Sequence, residues 1–147
     1  MRCETDRPVI TPEVKSNQRK VHLAVEHFYI GEQKKPGFCA SYRYIFDRTK
    51  SRKCLIFTNN RTETEAAIAN LRQIAADEGH PDIYHVHHGS IAAKLRQAAE
   101  EAMRESDAPA VTAATVTLEM GIDIGQLERV IQLDAPFSVS SFLQRLG

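Results

Sequence analysis

The chain has 147 residues, of which 42% are hydrophobic and 26% charged, as in an ordinary single globular domain. These fractions exclude a disordered, collagen-like or low-complexity chain, and no apolar run approaches the roughly 20 residues of a membrane span. The zero net charge hides an asymmetry, because residues 1–73 hold 14 Lys+Arg against 8 Asp+Glu, whereas residues 74–147 hold 5 against 11. A neutral total therefore does not argue against a local basic patch that contacts nucleic acid.

The three cysteines are widely spaced and odd in number: Cys3, Cys39 and Cys54. This usage argues against a disulfide framework and predicts a reducing, cytoplasmic setting. The polar start of the chain lacks the apolar segment of an export signal. We therefore expect a cytoplasmic protein that does not contact a membrane.

The first 53 residues contain two predicted elements and a basic cluster. Residues 1–19 are polar and predict an extended leader or linker, so the expected domain covers 20–147. Alternating apolar residues in VHLAVEHFYI predict a strand over 21–30, and FCASYRYIF predicts a helix over 38–46. The basic cluster could contact nucleic acid, but a solvated helix end and loop is the favoured interpretation; its members are Arg43, Arg48, Lys50, Arg52 and Lys53.

From residue 54 onward, short apolar runs alternate with helical patterns. The predicted strands cover 54–58, 83–87, 110–114 and 129–133. Strands that alternate with helices over short connections indicate an α/β fold, a doubly wound parallel sheet with helices on both faces.

Three helices are predicted between and after these strands. A capping box of Thr62 and Glu65 begins the first, which ends at Gly79. An apolar stripe from Ile91 to Met103 predicts the second, and Ser138 caps the last. The sequence Asp-Glu-Gly-His at 77–80 resembles a magnesium-binding D-E-x-H motif, but that motif must end a buried strand. We interpret it as the end of the first helix.

Ligands bind such sheets at the carboxyl ends of the strands, where the most unusual residues of this sequence lie. Asn60 and Arg61 begin a helix and would suit a phosphate, although a capped turn is the simpler interpretation. In the next loop Gly89 allows close backbone approach, and Ser90 can cap a helix or donate to a phosphate oxygen. The neighbouring histidines have no Cys or carboxylate partner nearby in sequence, so we expect no metal site.

The remaining two segments follow the third and fourth strands. Gly121 and Gly125 bracket Asp123 within an apolar stretch, as in a turn that places one carboxylate, or in a plain structural turn. Gln144 and Arg145 end the apolar face of the last helix.

Taken in order, four segments resemble the second RecA-like domain of superfamily-two helicases. LIFTNNR is similar to motif IV, HHGS to the element that follows it, AATVTLEMGIDIGQLERVIQLDAP to motif V, and SFLQRLG to the start of motif VI. The phrasing TLEMGIDIG with SFLQR most resembles the Lhr-like (large helicase-related) branch of the DEAD/DEAH-box proteins. The resemblance covers residues 20–147.

This resemblance implies an ATP-dependent DNA or RNA helicase as the full-length parent. The implied contacts to the phosphates of single-stranded or duplex nucleic acid come from Asn60, Arg61, His88, Gly89, Ser90 and Thr115. The implied contacts to ATP across a domain cleft come from Gly121, Asp123, Gln144 and Arg145. ATP and Mg²⁺ would be bound mainly by an N-terminal RecA-like domain of the same parent chain, so this chain alone is expected to be inactive.

Two departures from the family pattern accompany this resemblance. The arginines that usually follow the Q-R-x-G of motif VI are not in the sequence, so the domain is expected to be truncated within that motif. Ile91 to Lys94 also lack the small polar and acidic residues often found after the H-G-S element. No G-x-x-x-x-G-K-[ST] phosphate loop occurs in the sequence.

Two other functions stay open at this point. A nucleic-acid-binding or regulatory module without ATPase activity would use the same strand-end loops. A small-molecule enzyme with a Ser/His/Asp set is the weaker alternative, because the sequence has no G-x-S-x-G elbow.

Overall fold

The computed structural model describes residues 22–28, 40–105, 108–115 and 127–146. In these residues the helices are α1 (Ala40–Thr49), α2 (Arg61–Asp77), α3 (Ala93–Arg104) and α4 (Val139–Leu146), and the strands are β1 (Lys53–Phe57), β2 (Tyr84–His87), β3 (Ala110–Ala114) and β4 (Arg129–Gln132). Each matches a predicted element to within a few residues. None of the described helices is long and apolar enough to span a bilayer.

The four strands form one parallel sheet in the order β2-β3-β1-β4. Phe57 at the end of β1 pairs with Ala114 of β3 and with Gln132 of β4, and His87 of β2 also pairs with Ala114. All four carboxyl ends therefore lie along the same edge of the sheet, which confirms the predicted parallel arrangement.

Alternate strand residues pack against helices on opposite faces of the sheet. On one face Cys54 and Ile56 join a core with residues of α1 and α2, among them Phe46 and Leu71. On the other face Phe57 lies beneath α4, and β2 contacts α3. The doubly wound architecture is confirmed, and it explains why the strands are apolar at consecutive positions.

The first residue of α2 corrects the predicted capping box. Asn60, in extended conformation, is the N-cap, and its side chain accepts a hydrogen bond from the Glu63 N–H at 2.9 Å. The predicted cap, Thr62, lies inside the helix. The earlier start buries Thr64, whose hydroxyl lies 2.6 Å from that of Thr58. Packing of the first turn of α2 against the end of β1 therefore selects Asn60 rather than Thr62 as the N-cap.

The end of α2 agrees with its interpretation as a helix end. The helix finishes at Asp77, and Gly79 follows with φ of 68°, the left-handed conformation that glycine adopts at little cost. Asp77 and Glu78 therefore close an amphipathic helix and do not end a buried strand.

The prediction of a strand over 21–30 is wrong for residues 22–28, the part of this segment that the structure describes. Residues 22–28 form no strand, and Leu23 and Val25 are 68% and 88% exposed. The segment instead contacts α1 through its other set of side chains. Glu26 accepts a hydrogen bond from the Tyr44 hydroxyl at 2.7 Å, and the Phe28 ring packs edge-on against Tyr44. Alternation predicts a strand only where a sheet edge is available to pair with it.

The apolar stripe of the second predicted helix is only partly buried. Ala99 and Met103 of α3 are buried, whereas Leu95 is exposed and Ile91 precedes the helix. The predicted continuation of the buried stripe through Leu95 and Ile91 is therefore wrong, because only the C-terminal half of α3 packs against the sheet.

The basic cluster near α1 is engaged within the domain. Arg43 pairs with Asp47 and Glu78, Arg52 pairs with Glu128, and the Arg48 guanidinium lies over the Tyr44 ring. Lys50 also pairs with Asp47, and the Lys53 ammonium donates to the Glu105 carbonyl oxygen. These pairs agree with a helix end and loop, although Lys53 is buried rather than solvated.

Candidate nucleic-acid interface

The carboxyl edge of the sheet brings together the segments that the sequence analysis singled out. Adjacent parallel strands lie about 4.8 Å apart, so the ends of β2, β3 and β1 span about 10 Å. The Thr58 N–H donates to the Ala114 carbonyl oxygen at 3.0 Å, and thereby continues the ladder into the first loop. Thr115 is half-buried and follows β3, so it lies between the loop after β2 and the loop after β1.

The loop after β1 is held by side-chain hydrogen bonds, and an exposed cation, Arg61, follows it at the start of α2. The Asn59 side chain donates to the Ala135 carbonyl oxygen at 3.1 Å, and the Asn60 oxygen is engaged as the helix cap. Arg61 is exposed and forms no ion pair with any other residue that the structure describes. A cation at the positive end of α2 is poorly placed for the helix dipole but well placed for a bound anion.

The loop after β2 is a turn with two exposed residues at its tip. The Ile91 N–H donates to the His88 carbonyl oxygen at 3.1 Å, which closes the turn around Gly89 and Ser90. A Cβ atom placed on Gly89 would meet no atom of the described residues within 4 Å, and the φ angle of Gly89 lies outside the left-handed region. The fold itself therefore does not require a glycine at this position.

The histidines of this segment face the interior. The His88 ring is 5% exposed, with Nε2 3.0 Å from the Glu65 Oε1 atom. His87 is buried on the other face of the sheet, with Nε2 3.2 Å from Glu100 Oε1. Burial lowers the pKa of His85. Glu65 and Glu100 are the carboxylate partners that the local sequence did not reveal, because they belong to the helices before and after β2, 23 positions from His88 and 13 positions from His87.

The start of α3 adds a feature that sequence reasoning missed. Its N-cap residue, Ala92, provides no side-chain hydrogen bond, and the first turn contains no acidic residue. Lys94 in that turn is exposed and has no ion pair among the residues that the structure describes. The unsatisfied N–H groups of such a turn attract anions.

The opposite end of the same edge is acidic. Asp134, just after β4, faces Glu63 of α2, and burial together with the Glu63 carboxyl raises the pKa of Asp134. Arg61 and Lys94 lie towards β1 and β2. The arrangement therefore favours a bound anion over the β1–β3–β2 side of the edge and disfavours one near β4.

The residues assigned to the ATP side are less completely described. Gly121 and Asp123 lie outside the described residues. Gln144 is exposed, whereas Arg145 is 4% exposed, with its guanidinium 5.1 Å from the centre of the Phe57 ring. Among the described residues no group of three His, Cys, Asp or Glu side chains could hold a metal ion. The predicted ATP contacts therefore stay predictions.

Comparison with known families identifies the domain. The family described as helicase conserved C-terminal domain matches residues 38–147, which includes the whole sheet and both candidate loops. This chain belongs to that family. A protein called ATP-dependent helicase Lhr-Core from Sulfolobus acidocaldarius is 36% identical over 146 residues, covering 97% of this chain and 15% of that protein.

Other relatives support the same branch. The Lhr helicase/uracil glycosylase of Escherichia coli is 32% identical and is matched over 67% of this chain but 8% of its own length. This chain thus spans a small part of the curated relatives it matches. The resemblance to the Lhr-like branch is confirmed.

Solved structures show the same fold. The Mycobacterium smegmatis helicase Lhr, solved with single-stranded DNA and AMP-PNP, has a TM-score of 0.66 at 33% identity, covering 73% of this chain and 14% of that one. Domain 2 of the DEAD-box helicase Mss116p, solved with an RNA duplex, has a TM-score of 0.57 at 19% identity, covering 74% and 42%. The parallel sheet is therefore the RecA-like fold of helicase C-terminal domains.

Proposed function

We propose that this domain is the C-terminal motor half of an ATP-dependent DNA or RNA helicase. It contacts the phosphates of one nucleic-acid strand and completes the ATP site of an N-terminal RecA-like domain in the same parent. The Lhr-Core relatives are named ATP-dependent helicases, and the M. smegmatis Lhr structure contains both single-stranded DNA and AMP-PNP. These names support the proposal for the parent protein.

The observation that carries the strand-binding part is the exposed turn at Gly89. Neither backbone conformation nor neighbouring atoms require glycine there, so its missing side chain leaves room for a ligand to approach the backbone closely. Ser90 next to it is exposed and offers a hydroxyl donor. Arg61 and Lys94 supply positive charge near the two helix starts.

These groups suit phosphates better than bases. Backbone N–H groups, a serine hydroxyl and flexible cations contact phosphate oxygens and carry no base-edge code. We therefore expect binding that is largely indifferent to sequence. With half of the motor absent, the dissociation constant of the isolated domain should lie near ~10⁻⁴ M and increase with salt.

The ATP part of the proposal rests on the family. Gly121, Asp123 and Gln144 would face the nucleotide across the cleft, and the partner domain would supply the phosphate loop and the Mg²⁺ carboxylates. Phosphoryl transfer needs all of these groups together. We therefore expect no ATPase activity above background from the 147-residue chain, with or without nucleic acid.

Fluorescence anisotropy tests the strand-binding part directly. The chain is titrated into labelled single strands of three base compositions, at two salt concentrations. We expect similar weak affinities for the three strands and weaker binding at the higher salt. A salt-independent affinity, or no binding at low salt up to millimolar protein, would contradict the proposal. ATP turnover by the purified chain would contradict its status as half of a motor.

A further inference from the structure

The turn at Gly89 and Ser90 is held from both faces of the sheet by two histidine–carboxylate contacts. His87 contacts Glu100 of α3 at 3.2 Å, and His88 contacts Glu65 of α2 at 3.0 Å. Of these two histidines, His88 directly precedes the exposed residues Gly89 and Ser90. Its contact with Glu65 therefore constrains the backbone of the turn more directly than the contact of His87 does.

The chemistry of the His88 contact determines what its ring can do. An ionised carboxylate only accepts hydrogen bonds, so Nε2 carries the proton that faces Glu65. The other ring nitrogen, Nδ1, is buried and has no hydrogen-bond partner among the described residues. The ring therefore has no exposed donor for a phosphate, although the His88 backbone remains part of the turn.

We propose that Glu65 is a positioning residue of the nucleic-acid interface, which acts through the His88 ring to hold Gly89 and Ser90 in place. The inference rests on the proposed strand-binding function and deepens it. Glu65 stands one helical turn beyond Arg61 on α2, so the contact also links the β1 loop to the β2 loop. The phosphate-contacting groups of the two loops would then keep a fixed position relative to each other.

Electrostatics alone predicts the opposite role for Glu65. Its side chain is 63% exposed, and a carboxylate near bound phosphates repels them, so removing its charge would strengthen binding. Removing a group that positions the turn would weaken binding instead. The sign of the change therefore separates the two roles.

Two substitutions divide charge from hydrogen bonding. Glu65→Ala removes both, and we expect the affinity for single strands to fall by about three- to tenfold, the effect of one lost hydrogen bond. Glu65→Gln removes the charge but keeps an acceptor for Nε2–H, so its affinity should stay within about twofold of wild type. Glu65→Ser, too short to reach the ring, is a second removal variant in case Glu65→Ala does not fold.

Glu101 provides the matched control. It is an exposed glutamate on α3, and its carboxylate accepts a hydrogen bond from the Gln97 side chain of the same helix at 2.9 Å. Glu101→Ala and Glu101→Gln make the same charge changes without touching either histidine. We expect both variants to bind strands as wild type does or slightly more tightly.

Amide resonances of Gly89 and Ser90 provide a readout that does not depend on nucleic acid. We expect them to shift in Glu65→Ala and to stay near their wild-type positions in Glu65→Gln and in both Glu101 variants. Unchanged amide resonances in Glu65→Ala, or binding equal to or tighter than wild type, would overturn the positioning role. No strand binding by the wild-type chain would overturn the proposed function, and the resonances would then decide alone whether Glu65 holds the turn.

Discussion

The guanidinium of Arg145 lies over the ring of Phe57, 5.1 Å from its centre. Phe57 ends the central strand β1, and Arg145 belongs to the last turn of α4, so the contact fastens the motif VI helix to the middle of the sheet. The arginine is buried in this position. A contact with a nucleotide outside the domain would require the buried N–H groups of Arg145 to become accessible.

The Arg145–Phe57 pair should contribute to stability as a unit. We expect Arg145→Ala and Phe57→Leu each to lower the free energy of unfolding by about 1–3 kcal/mol, through lost packing and lost cation–π attraction. In a double-mutant cycle their effects should couple by at least about 0.5 kcal/mol. Urea unfolding measures both quantities. Gln144→Ala, at the exposed neighbour, is the control and should change little, while strictly additive effects would refute the contact.

The two described glycines should respond in opposite ways to alanine. Gly79 has φ of 68°, so Gly79→Ala should lower the free energy of unfolding by about 1–2 kcal/mol without changing strand affinity. Gly89 has an ordinary φ and open space around it. Gly89→Ala should leave stability unchanged or raise it slightly.

Strand affinity provides the second half of the glycine comparison. If the proposed strand contact is right, a methyl group on Gly89 stands where the phosphate backbone approaches, and Gly89→Ala should weaken binding by about three- to tenfold, the loss of one hydrogen bond. Anisotropy titration of both variants measures this effect. Wild-type affinity in a folded Gly89→Ala variant would show that no strand approaches this turn.

Arg61 should carry one phosphate contact. Arg61→Ala should weaken single-strand binding and reduce the slope of log affinity against log salt by about 0.7. Arg52→Ala removes the same charge at the opposite, amino edge of the sheet, where Arg52 is paired with Glu128 at 2.9 Å. The salt slope of that control should stay near the wild-type value. If both variants lost the same slope, net charge rather than a contact at Arg61 would explain the binding.

Cys54 should make the domain less stable in alkali. Burial raises the pKa of its thiol from 9.0 to about 12, so the unfolded chain loses this proton at a lower pH than the folded chain does. The contribution of the protonated Cys54 thiol to the free energy of unfolding is fully present below about pH 9 and is lost as the pH rises towards 12. Unfolding free energies across this range should fall less steeply for Cys54→Ala than for wild type. Parallel pH profiles would refute a buried, protonated thiol.

Local patterns in the sequence were sufficient to predict most of the elements. The strand at 110–114 has the observed bounds, and Ser138 caps α4 by accepting from the Ser141 N–H at 3.1 Å. Gly79 ends α2 as its position predicted. Such features depend on hydrogen bonds between near neighbours in the chain, so a short stretch of sequence contains all the groups that form them.

Predictions failed where a distant partner was required. The alternation around Leu23 and Val25 is typical of a strand, but the segment packs against Tyr44 of α1 and pairs with no strand in its described part. Two possible caps compete at the start of α2, and burial of Thr64 beside Thr58 selects Asn60. Neither outcome can be derived from residues adjacent in sequence, because the deciding contact comes from elsewhere.

The sequence by itself determined the order of strands and helices, the edge at which polar loops gather and, through its motifs, the helicase family. Only the tertiary structure decided which of those loop residues are accessible. It turns His88 inward onto Glu65 and Arg145 inward onto Phe57, and it leaves Arg61 and Gly89 exposed. The physical reason is that periodicity reflects local hydrogen bonding, whereas burial depends on side chains that meet across 23 to 88 positions of the chain.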